Sequence, residues 1–220
     1  MNSMSQPVRT VSQVLARLDH DFAGFAASFA DGDYLVWLGS GISRDVVPNV
    51  GDLLARVLEM LRRNIEPNDS ECPHRRALNE ALDLSGVPND AFDFSVSVDA
   101  WPERDGIVRA LTPRYAEVLD IPVAGQPSDY LVWTGLDVPN TYGDPALVPD
   151  VEHYCIALLM LEGAIQHAVT ANWDGLVESA LADLAEAPAA VAQVVVKSDD
   201  FRQRARRTQL IKFHGCAVLA

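Results

Sequence analysis

Two kinds of apolar pattern alternate along the chain. Spacings of three and four residues predict amphipathic helices over residues 11–29, 53–61 and 176–184. Short apolar runs predict strands over residues 34–38, 164–170, 191–196 and 209–213, and we expect the first of them to be buried on both faces. The alternation indicates an α/β fold, a Rossmann-like parallel sheet with helices on both faces.

The middle of the chain lacks this alternation and is rich in proline. Residues 89–149 hold seven prolines and three predicted short helices, at 105–111, 114–119 and 128–136. Flanking helices are predicted over 74–84 and 151–163, and a short one over 199–206. We therefore predict one domain over residues 1–220, in which 34–88 and 150–220 form the Rossmann-like part and 89–149 an inserted helical and loop-rich lobe.

The composition of the chain argues against several classes of binding partner. The 220 residues include 31 acidic and 17 basic ones, for a net charge of −14, which argues against direct nucleic-acid binding and against an anionic membrane surface. The three cysteines form no CxxC pair and the histidines form no HxxxH or HxH spacing, so we expect no metal. There is no secretory signal and no apolar run near the ~20 residues of a membrane helix, so we expect a cytoplasmic protein.

A glycine turn follows the first predicted strand. Its residues Gly39, Ser40, Gly41 and Ser43 would let backbone N–H groups approach a pyrophosphate, with the Ser43 hydroxyl as a further donor. The third glycine of the dinucleotide fingerprint is absent, since position 44 is arginine, and a plain strand-to-helix turn explains the same residues.

Two further segments end predicted strands. Thr170, Asn172 and Asp174 follow the second strand; an asparagine there suits ribose hydroxyls or a carboxamide, whereas Asp174 serves equally well as a helix N-cap. His214 and Gly215 end the last strand, where a histidine can be a general base and a glycine leaves room for a ligand. A lone histidine of this kind is more often structural or simply exposed.

Together and in this order, the three segments resemble the sirtuin family and its sirtuin-like relatives. The resemblance spans residues 34–216, with the middle lobe unmatched in detail. It implies a domain that binds NAD and cleaves the bond between nicotinamide and ribose. Asn172 and His214 would be catalytic, Asn172 orienting the nicotinamide ribose and His214 acting as the base. The residues implied to bind the cofactor are Gly39, Ser40, Gly41, Ser43, Thr170, Asn172, Asp174 and Gly215.

Two departures separate the chain from protein-deacylating sirtuins. It lacks the paired CxxC zinc module, and residues 44–50 replace the usual continuation of the glycine turn. The resemblance is therefore closer to the zinc-less NAD hydrolases, many of which serve as effectors of bacterial anti-phage defence. It implies control of NAD consumption by an activator, a fused sensor domain or assembly into a homo-oligomer. A zinc-less deacylase, a non-catalytic NAD or ADP-ribose sensor, and coincidence of the three segments stay open as alternatives.

The last of the three segments, at His214 and Gly215, lies close to the end of the sequence. The chain stops six residues past His214, whereas a dinucleotide-binding sheet usually needs further strands for the adenosine half. We therefore expect a domain that is incomplete at its C-terminus and forms the N-terminal part of a longer protein.

Overall fold

A computed structural model describes residues 10–88, 92–202 and 208–218. The helices are α1 (Val11–Asp19), α2 (Ala23–Ala30), α3 (Val50–Arg63), α4 (Pro73–Ser85), α5 (Arg104–Leu111), α6 (Tyr115–Leu119), α7 (Val138–Tyr142), α8 (Val151–Glu162), α9 (Leu176–Leu184) and α10 (Pro188–Val191). The strands are β1 (Leu35–Leu38), β2 (His167–Thr170), β3 (Ala192–Val195) and β4 (Thr208–Lys212).

The strands form one sheet in the order β1–β2–β4–β3, and every neighbouring pair is parallel. The sheet and its flanking helices confirm the predicted α/β fold, which is Rossmann-like. All four predicted strands are present, each within three residues of its predicted start. Two compact units divide the described residues: 10–42, 149–172 and 176–218 form the first, and 43–148 with 173–175 form the second.

Helices α8 and α9 cover one face of the sheet in the first unit. Register places Val36, Ala168 and Leu210 side by side, and alternate side chains of a strand point to opposite faces. Ala168 and Leu210 are buried in one cluster with Met160 of α8 and Leu181 of α9. This cluster is the core of the unit, and the apolar runs of the sequence supply its strand residues.

The prediction that β1 is buried on both faces is wrong. Leu38 is buried, but Leu35 is 59% and Trp37 is 64% exposed. These two side chains lie on the face opposite the α8–α9 core, and β1 is an edge strand with β2 as its neighbour in the sheet. An apolar run reports strand formation, but it cannot report which face another element covers.

The N-terminal helix is shorter than predicted. The pattern over residues 11–29 indicates one helix, but α1 ends at Asp19 and α2 begins at Ala23. Between them the Phe22 N–H donates to the Arg17 carbonyl at 2.9 Å, a turn that brings the two short helices into contact. Both helices satisfy the apolar spacing, so periodicity alone did not reveal the break.

The second unit is helical, and most of its core lies on three helices. Leu58 of α3, Leu78 of α4 and Ile107 of α5 are fully buried. The predicted lobe at 89–149 falls largely within this unit, which also includes α3 and α4. Of the helices predicted inside the lobe, those at 105–111 and 114–119 are present as α5 and α6. The segment predicted as a helix at 128–136 instead holds a π-helical turn at Leu131–Gly135.

The C-terminal side departs from the prediction at one helix. The pattern over 199–206 predicts a short helix, and the structure has a 3₁₀ turn at Asp200–Arg202; residues 203–206 lie outside the described part. Within the described residues, the helices are all too short or too polar to span a bilayer.

The partly buried carboxylate of Glu59 links α3 to the segment before α5. Glu59 accepts hydrogen bonds from Arg62 at 2.7 Å, from Arg63 at 2.7 Å and from the Val98 N–H at 3.0 Å. The Arg62 hydrogen bond is the largest cause that sets the pKa of Glu59 to about 2, well below its ordinary 4.5. A lowered carboxyl pKa adds stability above pH 4.5, and this stability is lost as the pH falls toward 2.

We expect Glu59→Gln to lower the free energy of unfolding at pH 7 by about 1–3 kcal/mol, after allowance for solvent screening at this partly exposed group. The difference from wild type should shrink as the pH falls from 4.5 toward 2, because the wild-type carboxyl is then protonated as well. Urea unfolding across this range measures it. Glu80→Gln, at an exposed position of α4, is the matched control, and an equal loss in both variants at pH 7 would contradict the assignment.

Candidate functional site

Three of the predicted segments lie at the carboxyl end of neighbouring strands in the first unit. Gly39 follows β1, Asn172 follows β2 and His214 follows β4, and β2 lies between the other two strands. In open α/β sheets, ligands bind beyond this edge. The order of the sheet therefore collects segments that are far apart in the sequence.

Asn172 is tied directly to the glycine turn. Its Nδ2 donates to the Gly39 carbonyl at 3.3 Å, and its backbone N–H donates to Thr170 Oγ1 at 3.0 Å. Thr170 is itself buried at the end of β2. Thr170 thus holds the loop and Asn172 joins it to the turn, so the first two predicted segments meet.

The glycine turn forms a single 3₁₀ turn at Ser40–Ser43, closed by the Ile42 N–H donating to the Gly39 carbonyl at 3.2 Å. A Cβ added at Gly39 or Gly41 would meet no atom within 4 Å, and neither residue has a positive φ. The protein's own packing therefore does not require glycine at these positions. Open space in front of the turn is what close approach of a ligand to the backbone needs.

Gly215 differs from Gly39 and Gly41, because its backbone conformation itself requires glycine. Its φ is 91°, in the left-handed region where side chains are strained. The Gly215 N–H donates to the Lys212 carbonyl at 3.3 Å, which closes the turn that carries His214. The glycine is thus needed by the turn, whether or not a ligand also uses the space beside it.

His214 is exposed at the tip of this turn. Its ring lies edge-on to the Phe213 ring, with centroids 4.5 Å apart, and the Phe213 N–H donates to the Thr170 carbonyl. The turn is thereby attached to the end of β2, where the Asn172 loop starts. An exposed imidazole on a well-braced turn can accept a proton from a bound molecule.

A buried ion pair lies at the base of the same turn. Lys212 is 1% exposed, and its Nζ donates to Glu178 of α9 at 2.8 Å and to Cys216 Sγ at 3.2 Å. Burial opposes the charge on Lys212, but the Glu178 carboxylate and the Cys216 sulfur together outweigh burial and raise the pKa of the lysine above its ordinary value. The motif that ends in His214 and Gly215 begins at Lys212, but its pattern indicated no role for the lysine and no pairing with Glu178.

Ser43 and Asp174 form a buried pair in the second unit. Ser43 Oγ donates to Asp174 Oδ2 at 3.0 Å, and the two residues are 1% and 5% exposed. Because a hydroxyl has one hydrogen to donate, this bond directs the Ser43 donor at Asp174 rather than at a phosphate. Ser43 is thus placed to hold the Asp174 carboxylate.

Tyr142 lies near Asp174, and neither Tyr142 nor its neighbours Thr141 and Arg56 were singled out from the sequence. Tyr142 is buried, its ring lies 5.4 Å from that of Trp173, and burial together with the Asp174 charge raises the pKa of its hydroxyl to about 12. Arg56 Nη1 donates to Thr141 Oγ1 at 2.9 Å. Tyr142 and Thr141 belong to the proline-rich segment, where no periodicity marked them.

We expect Ser43→Ala and Asp174→Ala to be coupled in stability by about 1 kcal/mol or more, because each change removes the buried partner of the other. A double-mutant cycle in urea measures this coupling. The same cycle with Ser43→Ala and Asp99→Ala, at an exposed aspartate of the same unit, should be additive within about 0.5 kcal/mol. Additivity of the Ser43 and Asp174 changes would contradict a direct bond.

The predicted site residues thus fall into two sets. Gly39, Ser40, Gly41, Thr170, Asn172, His214 and Gly215 belong to the first unit, and Ser43 and Asp174 to the second. Within the described ranges, His, Cys, Asp and Glu side chains form no group of three that could hold a metal ion. No protein-family model and no curated protein matches the chain.

Proposed function

We propose that the chain is a sirtuin-like NAD hydrolase that cleaves NAD to nicotinamide and ADP-ribose. The observation that carries the proposal is the Asn172 side chain bonded to the Gly39 carbonyl at the carboxyl end of the sheet, with His214 after the strand on the other side of β2. The resemblance in the sequence supplies the reaction, and this arrangement supplies residues in the three roles it needs.

The glycine turn binds the pyrophosphate in this proposal. Gly39 and Gly41 leave the backbone of the turn open, and Ser40 is exposed beside them. Backbone N–H groups in such a turn are donors that need no cationic side chain to hold a phosphate. Asn172 would orient the nicotinamide ribose, because its amide is fixed at one end by Gly39.

The reaction breaks the C–N bond between ribose and nicotinamide. The electron pair leaves with the ring nitrogen, which becomes neutral, and the ribose carbon becomes an oxocarbenium-like centre. Water attacks this centre, and His214 accepts the proton that the water loses. Correct positioning accounts for much of the rate in such a step.

A biological role follows from the same resemblance. An enzyme that consumes NAD without limit stops the growth of its own cell, as the anti-phage effectors do. We propose this role for the chain, with activity under the control of an activator, a sensor domain or self-association. NAD serves as substrate, and the proposed chemistry uses no metal.

Nicotinamide release from NAD tests the proposal. Asn172→Ala should lower the rate by about 10²-fold, because a misplaced ribose loses the benefit of orientation. Asn140→Ala, at an exposed asparagine of α7, is the matched control and should keep the wild-type rate. Titration of the wild type with NAD tests the alternative: binding without turnover would favour a sensor module and contradict the hydrolase.

A further inference from the structure

The second face of the sheet carries an exposed apolar surface in the first unit. Register aligns Trp37 with Val169 and Ile211, so the three side chains share the face opposite the α8–α9 core. Trp37 is 64% exposed, and its ring lies 5.2 Å from Phe213, itself 46% exposed. Parallel sheets are almost always covered on both faces. We call this surface the open face; it is formed by the exposed Leu35, Trp37 and Phe213 and the half-buried Val169 and Ile211.

The same unit contains a helix, α1, whose apolar side chains are also exposed. Helix α1 has apolar residues at Val11, Val14, Leu15 and Leu18, the spacing of a core-facing stripe, yet none of its residues is buried. Val11 is 75% and Leu15 is 54% exposed. A capping box at Thr10 fixes the start of the helix, so α1 is a formed element with an uncovered apolar stripe.

The helix and the open face match in size and chemistry. Nine helical residues span about 14 Å, and four strand residues span about 13 Å. An amphipathic helix along the strands is the usual cover of a parallel sheet. Among the described residues, the β1 side of this sheet face and helix α1 thus both expose apolar side chains, and their lengths match.

We propose that two copies of this chain form a dimer in which α1 of each copy covers the open face of the other. Because each copy gives its α1 to the other, the dimer has two-fold symmetry and contains two equivalent contacts between α1 and the open face. Because Trp37 is 64% and Phe213 46% exposed, the two rings offer about 250 Å² per contact. With a similar share from α1, the two contacts bury on the order of 1,000 Å² of apolar surface, the lower limit for a specific interface. The occupant of the open face is thus a second copy.

The dimer has a consequence for the candidate site. Phe213 belongs to the open face, and its ring contacts His214. Exchange would therefore pack one side of the turn that carries His214, and it would supply the self-association that the proposed control of NAD consumption calls for.

Molar mass in solution, measured by light scattering after size exclusion, tests the exchange. The wild type should be a dimer at micromolar concentration. Trp37→Asp on the open face and Val14→Asp on α1 should each be monomeric, because each removes both contacts from its homodimer. Val148→Asp, at an exposed valine elsewhere in the chain, is the matched control and should stay dimeric. Circular dichroism of each variant checks that it is folded.

Mixing the two monomeric variants tests reciprocity. A heterodimer of Trp37→Asp and Val14→Asp keeps one intact contact, so a weaker dimer should appear in the mixture and in neither variant alone. A monomeric wild type, a dimer that survives Val14→Asp, or a mixture that associates no more than its components would each overturn the exchange. The readout is mass, so it does not depend on whether the protein cleaves NAD.

Discussion

His214→Ala is expected to lower the rate of nicotinamide release by about 10²–10⁴-fold, the usual contribution of a general base. The imidazole stands exposed at the tip of the turn after β4, and removing it leaves the turn closed by Gly215 and attached to Thr170. The variant should therefore keep its fold and its affinity for NAD. The loss should appear in kcat rather than in KM, because the base acts in the chemical step.

The control for this prediction is His20→Ala, which removes an exposed histidine at the end of α1. It should leave the rate of nicotinamide release unchanged. Initial rates at several NAD concentrations separate the two kinetic constants. A His214→Ala variant that turns over NAD at the wild-type rate would remove the histidine from the mechanism.

Glu178→Ala is expected to lower the free energy of unfolding by about 3–5 kcal/mol, because it leaves Lys212 buried without its carboxylate. Lys212 is 1% exposed and lies 2.8 Å from Glu178, so water cannot easily replace the lost partner. The raised pKa of Lys212 adds stability that is fully present below the ordinary value near 10.5 and is lost only above it. The contribution of this ion pair to wild-type stability should thus be constant from pH 6 to 9.

Two further variants serve as comparisons for Glu178→Ala. Lys212→Met replaces the buried cation by an apolar chain of similar length and should cost clearly less than Glu178→Ala. Glu186→Ala, at an exposed glutamate after α9, should change stability by about 0.5 kcal/mol or less. Urea unfolding of the three variants measures the difference. If Glu178→Ala and Glu186→Ala were equally mild, the buried ion pair would not be a main support of the His214 turn.

Local pattern predicted much of the fold because buried parallel strands are short apolar runs between turn residues. All four strands were found from such runs, and α9 has the predicted bounds. Two expectations failed for different reasons. The exposure of Trp37 depends on which distant elements pack on each face of the sheet, whereas the break between α1 and α2 is a local turn closed by the Phe22 N–H bond to the Arg17 carbonyl. Neither is encoded in residue spacing.

In the candidate site, too, the local sequence pattern predicted some features and not others. The glycine turn, Asn172 and His214 were found because each ends an apolar run, and the sheet order then placed the three runs side by side. The Ser43–Asp174 bond joins residues 131 positions apart, so the sequence indicated both residues without indicating that they pair. Tyr142 was missed because its neighbours have no period, and its burial arises only when the helical unit packs.

The most direct test of the account is a product analysis of NAD incubated with the purified protein and no peptide. The account predicts nicotinamide and free ADP-ribose in equal amounts, formed by the wild type and not by His214→Ala. NAD that stays intact with the wild type, or nicotinamide released without matching free ADP-ribose, would contradict it.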